Sequence, residues 1–588
     1  MTTSTSAAAL PPQKFLSYAA ILTLAANTMN GPGITTLPDV ASDAGLLLYV
    51  TLIAGSVLMA SYVCRRMVFA MWSSLSYSST VENNSIETYQ DIDSALISDG
   101  AGMKISKSAL SITTNENDNE VDDHFEEQTI THRHASPLNS NNTHVVPNTL
   151  ERTGSEEEAL LLHNDADDKF VAYPQPKLEK TSIVGQSLEA YGKSTSVQVA
   201  FTMVASALCL ALAQMMLCAA ILDGMLVTTM GQSCALGLPS SSSSSSWIHC
   251  TSHSSMKPYA GSGAPTSLIS VGTVIAAVFS VGMGTVDLDE MMSVQYSLFA
   301  CLVMSSVRFA YVLRKMSLAL SGDDGAMDVA AAVVTDVGSG EELSWFVGPH
   351  PFSTIGPIMF NFAFVVTAPP LVAMAKKESI AYKALGMACV VMGVLYTMVG
   401  CSGAPVANAV KNGMIEGGDD VNLLSLILLS GKFGGGGPSG RPSVIDLFFM
   451  GTFGLSTVAS VPVYCLLAKD TLVNDAGVAP MPAFLLSNVL PWVLVALTYN
   501  AAFFEAFVNW SGLLILGYSN FSLPLLLDVK LKKIRLSAED SNTTSLVFSF
   551  LTASITAVIV ISITNSLVAA GLSFGVVIMA SMWPSARS

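Results

Sequence analysis

Charge is what this sequence has least of. Only 12% of its 588 residues are Asp, Glu, Lys or Arg, against 51% hydrophobic residues, and the mean hydropathy is +0.52. Soluble domains carry about 25% charged residues, so the composition excludes a soluble enzyme and points to a polytopic membrane protein. The usual marks of chemistry are missing too. The nine cysteines are scattered, with no Cys-x-x-Cys pair and no metal spacing, so no metal or organic cofactor is expected. No His/Asp/Glu cluster or nucleophile–base pair falls within the apolar runs, and no glycine-rich loop ends in Lys-Ser/Thr; the chain reads as no enzyme. No basic patch interleaved with aromatics is present, which excludes nucleic acid as a partner. A cleavable leader is not expected either. Residues 1–14 are short and uncharged but for Lys14, and the apolar segment 15–38 is too long for a signal core, so the first span is read as its own insertion signal.

What charge there is sits in one place. Residues 81–180 hold 20 Asp/Glu and 7 Lys/Arg, which leaves −4 of the net −17 for the rest of the chain. Low hydrophobicity with high net charge predicts a disordered acidic insertion over 93–180, between an N-terminal part (1–92) and the remaining spans (181–588). Within it, Glu156-Glu157-Glu158-Ala159-Leu160-Leu161 has an acidic residue four positions before a Leu-Leu pair. That is the pattern read by endosomal and vacuolar sorting adaptors, and a pattern short enough to arise by chance. Ser155, ahead of the three glutamates, is a candidate phosphorylation site.

Runs of roughly 20 apolar residues are needed to cross a bilayer. They predict helices near 15–38, 44–71, 197–225, 266–285, 293–313, 352–374, 381–402, 443–467, 481–501, 506–528 and 545–565, with 566–583 open between an extension, an interfacial segment and a twelfth span. The fold class is therefore an all-α polytopic membrane protein of about 11 transmembrane helices, its main partner the lipid bilayer. Lys14, Arg65, Arg66, Lys193, Lys376, Lys377 and the Lys530–Arg535 cluster place the N-terminus inside, against which Arg314 and Lys315 run. The loop 226–265 carries seven consecutive serines between Cys234 and Cys250. Outside the cytoplasm those cysteines would close a disulfide across a flexible lid; two free thiols are the alternative.

The first span is interrupted where it should be continuous, at Asn27-Thr28-Met29-Asn30-Gly31-Pro32-Gly33-Ile34-Thr35. Pro32 lacks an amide hydrogen and clashes one turn back, and Gly31 and Gly33 leave the backbone unshielded. An unwound helix at membrane depth lines a cavity and holds substrates or ions in secondary transporters; a plain proline kink is the other reading.

Six stretches in chain order carry a resemblance. They are Asn27–Pro38, Glu87-Thr88-Tyr89-Gln90-Asp91-Ile92, Ser187–Lys193, Phe360-Asn361-Phe362-Ala363-Phe364 with Pro369-Pro370, Ser460-Val461-Pro462-Val463 and Phe521-Ser522-Leu523-Pro524-Leu525. Together they resemble the amino acid/auxin permease family of the amino acid-polyamine-organocation superfamily, in its sodium-coupled neutral amino acid transporter type. The resemblance implies two inverted five-helix repeats with helices 1 and 6 broken around a central site. In helix 6 the prolines Pro357, Pro369 and Pro370 bracket Phe360–Phe364 rather than interrupt it, and Val365-Val366-Thr367-Ala368 stands where the family often has a polar pair.

For an amino acid substrate, the amides of Gly33, Ile34 and Thr35 start a half-helix whose positive dipole end favours a carboxylate. Carbonyls freed near Met29 and Asn30, with backbone around Phe360–Ala363, would take the ammonium, beside Gly31. Phe360, Phe362 and Phe364 would wall the side-chain pocket. Asn27 matches the Asn that the family uses near its cation, and Ser456, Thr457 and Ser460 offer hydroxyl oxygens, Ser460 standing for the family's Thr. Asn27, Thr457 and Ser460 are thus the expected sodium ligands, and proton coupling is the rival. Its candidates are Asp223, Arg308 and Asp446, all near helix ends, where solvation at the interface would account for them. The expected function is cation-coupled transport of neutral amino acids in the plasma membrane or a vacuolar or endosomal one. An amino acid sensor signalling through the acidic loop and a proton-coupled vacuolar exporter are the alternatives.

Overall fold

In hydrocarbon every backbone N–H and C=O must find a partner within the protein, which leaves helices as the form for apolar segments of this kind. The computed structural model describes residues 16–31, 33–98, 182–237, 247–251, 259, 267–284, 288–321, 343–351, 354–415, 421–433, 442–499 and 515–535. Contacts divide the chain into two units, Met1–Ser78 with Pro176–Ser588, and Ser79–Gln175. Of the second unit only the end of a helix reaching Ser98 is described, and the dileucine pattern and Ser155 lie outside the described residues. So do the predicted span 545–565 and the tail 566–583.

The helices are α1 (Tyr18–Met29), α2 (Gly33–Ala44), α3 (Leu46–Ser98), α4 (Ile183–Tyr191), α5 (Lys193–Met230), α6 (Val271–Gly284), α7 (Leu288–Ser321), α8 (Ile355–Asn361), α9 (Ala368–Ala373), α10 (Glu378–Lys411) and α11 (Leu423–Leu429). They continue with α12 (Val444–Val458), α13 (Val461–Asp470), α14 (Pro480–Phe484), α15 (Leu490–Thr498) and α16 (Leu523–Arg535). Among the described residues seven helical stretches are long and apolar enough to cross a membrane: Leu46–Trp72, Lys193–Met230, Met291–Leu320, Ile355–Ala373, Glu378–Lys411, Val444–Asp475 and Pro480–Thr498. Tyr18–Met29 and Val271–Gly284 are shorter apolar helices. The protein is a mostly helical integral membrane protein.

Two differences from the sequence reading, at 44–71 and 443–467, have physical reasons, as does the interruption of 352–374 that the resemblance implied. The helix expected over 44–71 continues as α3 to Ser98, into the first residues of the acidic insertion, although its apolar part ends at Trp72. The segment 352–374 does not run straight. It stops at Asn361, turns through Phe362–Phe364, winds one short 3-10 turn (Val365–Thr367) and restarts as α9 with prolines in its first turn, where their missing N–H groups cost least. The segment 443–467, read as continuous, breaks at Ala459–Ser460. Pro462 has no hydrogen for Val458 O, and Val463 N–H donates to Ser460 O at 3.1 Å instead of reaching back to Ala459.

The loop after α5 forms a small sheet, a departure from an all-α fold. β1 (Ser233–Gly237) pairs antiparallel with β2 (Ile248–Thr251) and with β3 (Leu268–Ser270), in the order β2-β1-β3. Cys234 lies opposite Cys250 in that register, and the two are disulfide-bonded. The sheet is pinned to the membrane helices by Asp223, at the end of α5. Its Oδ1 accepts from Ser233 Oγ and from Gly272 N, each at 2.9 Å, and its Oδ2 from the Tyr499 hydroxyl at 2.6 Å. Tyr259 donates to Ser233 Oγ at 2.9 Å. Burial pushes its hydroxyl up to about 12; the Ser233 bond works against that shift and the charge of Asp223 adds to it. Asp223 is fully buried, not solvated at the interface, because the sheet folds back over the end of its helix. Asp446 is buried as well, paired with Arg308 at 2.8 Å and bonded to Ser443.

α10 is the central packing element, in contact with α1, α2, α3 and α7. Its close approaches rest on glycine: a Cβ at Gly393 would stand 2.4 Å from Val57 Cγ2, and one at Gly400 2.3 Å from the Tyr49 hydroxyl. That hydroxyl donates to Tyr396 O at 2.7 Å. Small residues at helix contacts are the rule where lipid offers no hydrophobic drive for association. Gly400→Leu is therefore expected to destabilise the purified protein by about 1–3 kcal/mol through overpacking, read as a lowered thermal midpoint in detergent. Gly386→Leu, at a position with open space around it, should leave the midpoint unchanged.

Candidate functional site

Three interrupted helices meet in the interior: α1–α2 at Asn30, α8–α9 at Phe362–Phe364, and α12–α13 at Ala459–Ser460. At the first, Asn30 N–H still closes the α1 helix on Ala26 O at 3.2 Å, but Gly31 N–H folds back to Met29 O at 2.7 Å and Ile34 N–H to Gly31 O at 3.2 Å. Pro32 carries no hydrogen for Thr28 O. Thr28, Met29 and Asn30 thus lose their usual acceptor roles in the helix.

Side chains from distant helices take up those carbonyls. The Tyr464 hydroxyl of α13 donates to Thr28 O, the Tyr396 hydroxyl of α10 to Met29 O, and Gln214 Nε2 of α5 to Asn30 O at 3.3 Å. Asn361 O lies 3.4 Å from the same Tyr396 hydroxyl, which therefore stands between the breaks of α1–α2 and α8–α9. Phe362 packs edge-on against the Tyr396 ring, with centroids 5.5 Å apart. At the third break Gln295 Nε2 of α7 donates to Ala459 O at 3.0 Å.

The residues expected to bind substrate are placed as follows. Gly31 and Gly33 face α8. A Cβ on Gly31 would meet the Phe360 ring at 3.5 Å, and one on Gly33 would stand 2.3 Å from Asn361 Oδ1. Phe360 and Asn361 thus lie directly over the glycine backbone of the first break. Met29, Ile34, Thr35, Phe360, Phe362 and Ala363 are all buried. Ile34 N–H is spent on Gly31 O, and the Met29 and Asn30 carbonyls on Tyr396 and Gln214, so these three of the backbone groups expected to meet an amino acid already hold internal partners. Phe362 turns to Tyr396, which leaves Phe360 as the aromatic ring against Gly31.

Of the residues expected to hold an ion, Ser460 and Thr457 are bonded to each other, while Asn27 is bonded to Gln295. Asn27 Nδ2 donates to Gln295 Oε1 at 2.6 Å and to Gln295 O at 3.0 Å. Ser460 Oγ faces Gln214 Oε1 and, at 2.8 Å, Thr457 O. Asn30 Nδ2, rather than Asn27, reaches the hydroxyls of Ser456 at 3.1 Å and Thr457 at 3.4 Å.

Sequence reasoning missed Asn361, Gln214, Gln295, Tyr396 and Tyr464. Their one signal in the sequence is an amide or phenol inside an apolar run. Asn361 is the most informative. It is buried, and neither its Oδ1 nor its Nδ2 has a hydrogen-bond partner; the same holds for Oδ1 of Asn30 and of Asn27. Each such orphan costs about 1–3 kcal/mol, and buried polar groups are ordinarily paired. The Asn361 amide, a donor and an acceptor together, lies against Gly33 and is a ready partner for a bound polar molecule. No family model matches the chain, and no curated protein sequence matches it.

Because a methyl at residue 33 would collide with the Asn361 amide, Gly33→Ala is expected to cost about 1–3 kcal/mol of stability. In an Asn361→Ala background the same change should cost less than half as much. Thermal midpoints of the four proteins of this double-mutant cycle measure the coupling.

Proposed function

We propose that this chain is a secondary active transporter of small neutral amino acids, driven by a cation gradient. The observation that carries the reading is that buried amide atoms of Asn30 and Asn361 lack partners at two helix breaks, where Gly31 and Gly33 lie against Phe360 and Asn361. Interrupted helices at membrane depth supply polar groups that a continuous helix withholds. Here the start of α2 offers its positive dipole end to a carboxylate, and Asn30 Oδ1 and Asn361 Oδ1 are acceptors suited to an ammonium. No charged side chain is among these residues, which favours a net-neutral substrate, and Phe360 supplies an apolar wall.

The order of the motifs and the breaks in the first and sixth spans support the amino acid/auxin permease kind of architecture, two inverted five-helix repeats in an eleven-helix chain. Amino acid substrate, ion and bilayer are then its partners, and its membrane is the plasma membrane or, where sorting adaptors read Glu156–Leu161, a vacuolar or endosomal one.

The test is uptake of a labelled mixture of neutral amino acids into proteoliposomes under an imposed sodium gradient, a proton gradient, or neither. Uptake is expected under one of the gradients and not in their absence. Asn361→Ala should raise the half-saturating concentration roughly tenfold, the loss of one or two hydrogen bonds to the ligand. Saturable binding without uptake under any gradient would replace the transporter with a sensor.

A further inference from the structure

A broken helix leaves carbonyl oxygens that need a positive partner, and two kinds can serve: a cation or an N–H or O–H donor. In this chain each carbonyl freed at the first break, and Ala459 O at the third, is met by a neutral donor. Thr28 O has Tyr464, Met29 O has Tyr396, Asn30 O has Gln214, and Ala459 O has Gln295. The two glutamines do more than cap. Gln295 joins three elements, accepting from Asn27 of α1 at its Oε1 and at its own carbonyl while donating to Ala459 O at the α12–α13 break. Gln214 does the same from the other side, donating to Asn30 O and accepting from Ser460 Oγ. Both are fully buried.

We propose that Gln295 and Gln214 stand in the place of a metal cation at the seam between α1 and α12–α13, so that sodium has no seat there. The inference rests on the transporter reading for its consequence: transport is blind to sodium, and the driving gradient is another one. A hard monovalent cation gives up its water only for a shell of oxygens. The oxygens that the seam would supply, Asn30 O, Ala459 O and Ser460 Oγ, are already engaged with amide groups. The side-chain acceptors left over are Asn27 Oδ1 and Asn30 Oδ1, two uncharged amides, and the backbone adds Val458 O, for which Pro462 has no hydrogen. No carboxylate supplements them: the buried ones among the described residues are Asp223, Asp446 and Asp528, bound to the sheet, to Arg308 and to Arg66. Dehydrating an ion in low dielectric without a compensating charge is costly.

The experiment compares the wild-type chain with Gln295→Glu, a variant of the same shape that replaces the N–H donor by a carboxylate. Thermal midpoints are read in sodium chloride and in choline chloride at equal ionic strength. The wild type should melt at the same temperature in both salts, whereas Gln295→Glu should gain about 2 °C or more in sodium, as expected for an ion that binds the folded state alone. Wild-type uptake into proteoliposomes should stay within about twofold when choline replaces sodium. A sodium-dependent rise in the wild-type midpoint, or a wild-type uptake that falls about tenfold without sodium, would overturn the proposal. So would a Gln295→Glu protein that folds and ignores sodium, since the glutamine would then not occupy a cation's place. Should that variant not fold, Gln214→Glu is read in the same way. The melting arms need no substrate, so a chain that transports nothing under any gradient retires the transporter reading while the ion question is still answered.

Discussion

The cost of an unpaired carbonyl in hydrocarbon governs the interior of this protein. Three helices are interrupted, and each interruption removes backbone hydrogen bonds that nothing in lipid can replace. The response is to bring in hydroxyls and amides from α5, α7, α10 and α13, one for each of Thr28, Met29, Asn30 and Ala459. This requirement explains why α10 is packed so tightly. Tyr396 can reach Met29 and Asn361 only if its helix lies hard against α1, α2 and α3, and glycines at 393 and 400 permit that approach. Packing and polar satisfaction are here the same constraint seen from two sides.

That constraint also sets what could be read from the residues alone. The first break was legible because its cause is local: Gly31, Pro32 and Gly33 act on the backbone beside them. The break in 352–374 was half legible, since the prolines flank it and the turn itself falls on Phe362–Phe364, residues without a breaking propensity. The break at Ala459 had its cause in plain view in Pro462, but one proline in an apolar run does not distinguish a kink from an interruption. The partners were not legible at all. Gln214 lies 184 residues from Asn30, Gln295 268 from Asn27 and Tyr464 436 from Thr28, and no periodicity or spacing connects positions so far apart. Asn361 stands inside the Phe360–Phe364 motif, where nothing in the residues alone separates an amide that lines a site from one bonded between helices. In the structure the amide, not Phe362, faces the glycines.

The loop over the end of α5 makes the same point for charge. Asp223 near a helix end reads as a solvated carboxylate, and a run of serines between two cysteines reads as a flexible lid. Pairing of β1 with β2 and β3 brings Ser233 and the start of α6 onto Asp223, and Tyr499 closes the remaining oxygen. A buried carboxylate that accepts several hydrogen bonds is tolerated where an unpaired one is not. The sheet therefore owes its seat to one acid, and the acid owes its burial to the sheet.

The distribution of charged and neutral contacts has a mechanical consequence. The ion pairs tie α7 to α12 through Arg308 and Asp446, α10 to α2 through Lys411 with Asp39 and Asp43, and α3 to α16 through Arg66 and Asp528. Breaking a buried pair leaves an uncompensated charge and costs about 3–5 kcal/mol, although the exposure of Arg308 and Lys411 to about a third of their surface weakens those two. The seam of α1 with α5, α7, α10 and α13 holds neutral hydrogen bonds, each worth only about 0.5–1.5 kcal/mol net. Elements joined by ion pairs are held as pairs, while α1 is fastened by contacts that can be exchanged one at a time for water or for ligand. The transporter proposed for this chain needs that asymmetry. Its site must be satisfied when closed and still able to open, and neutral amides around an interrupted helix meet both demands where a bound charge would lock the seam.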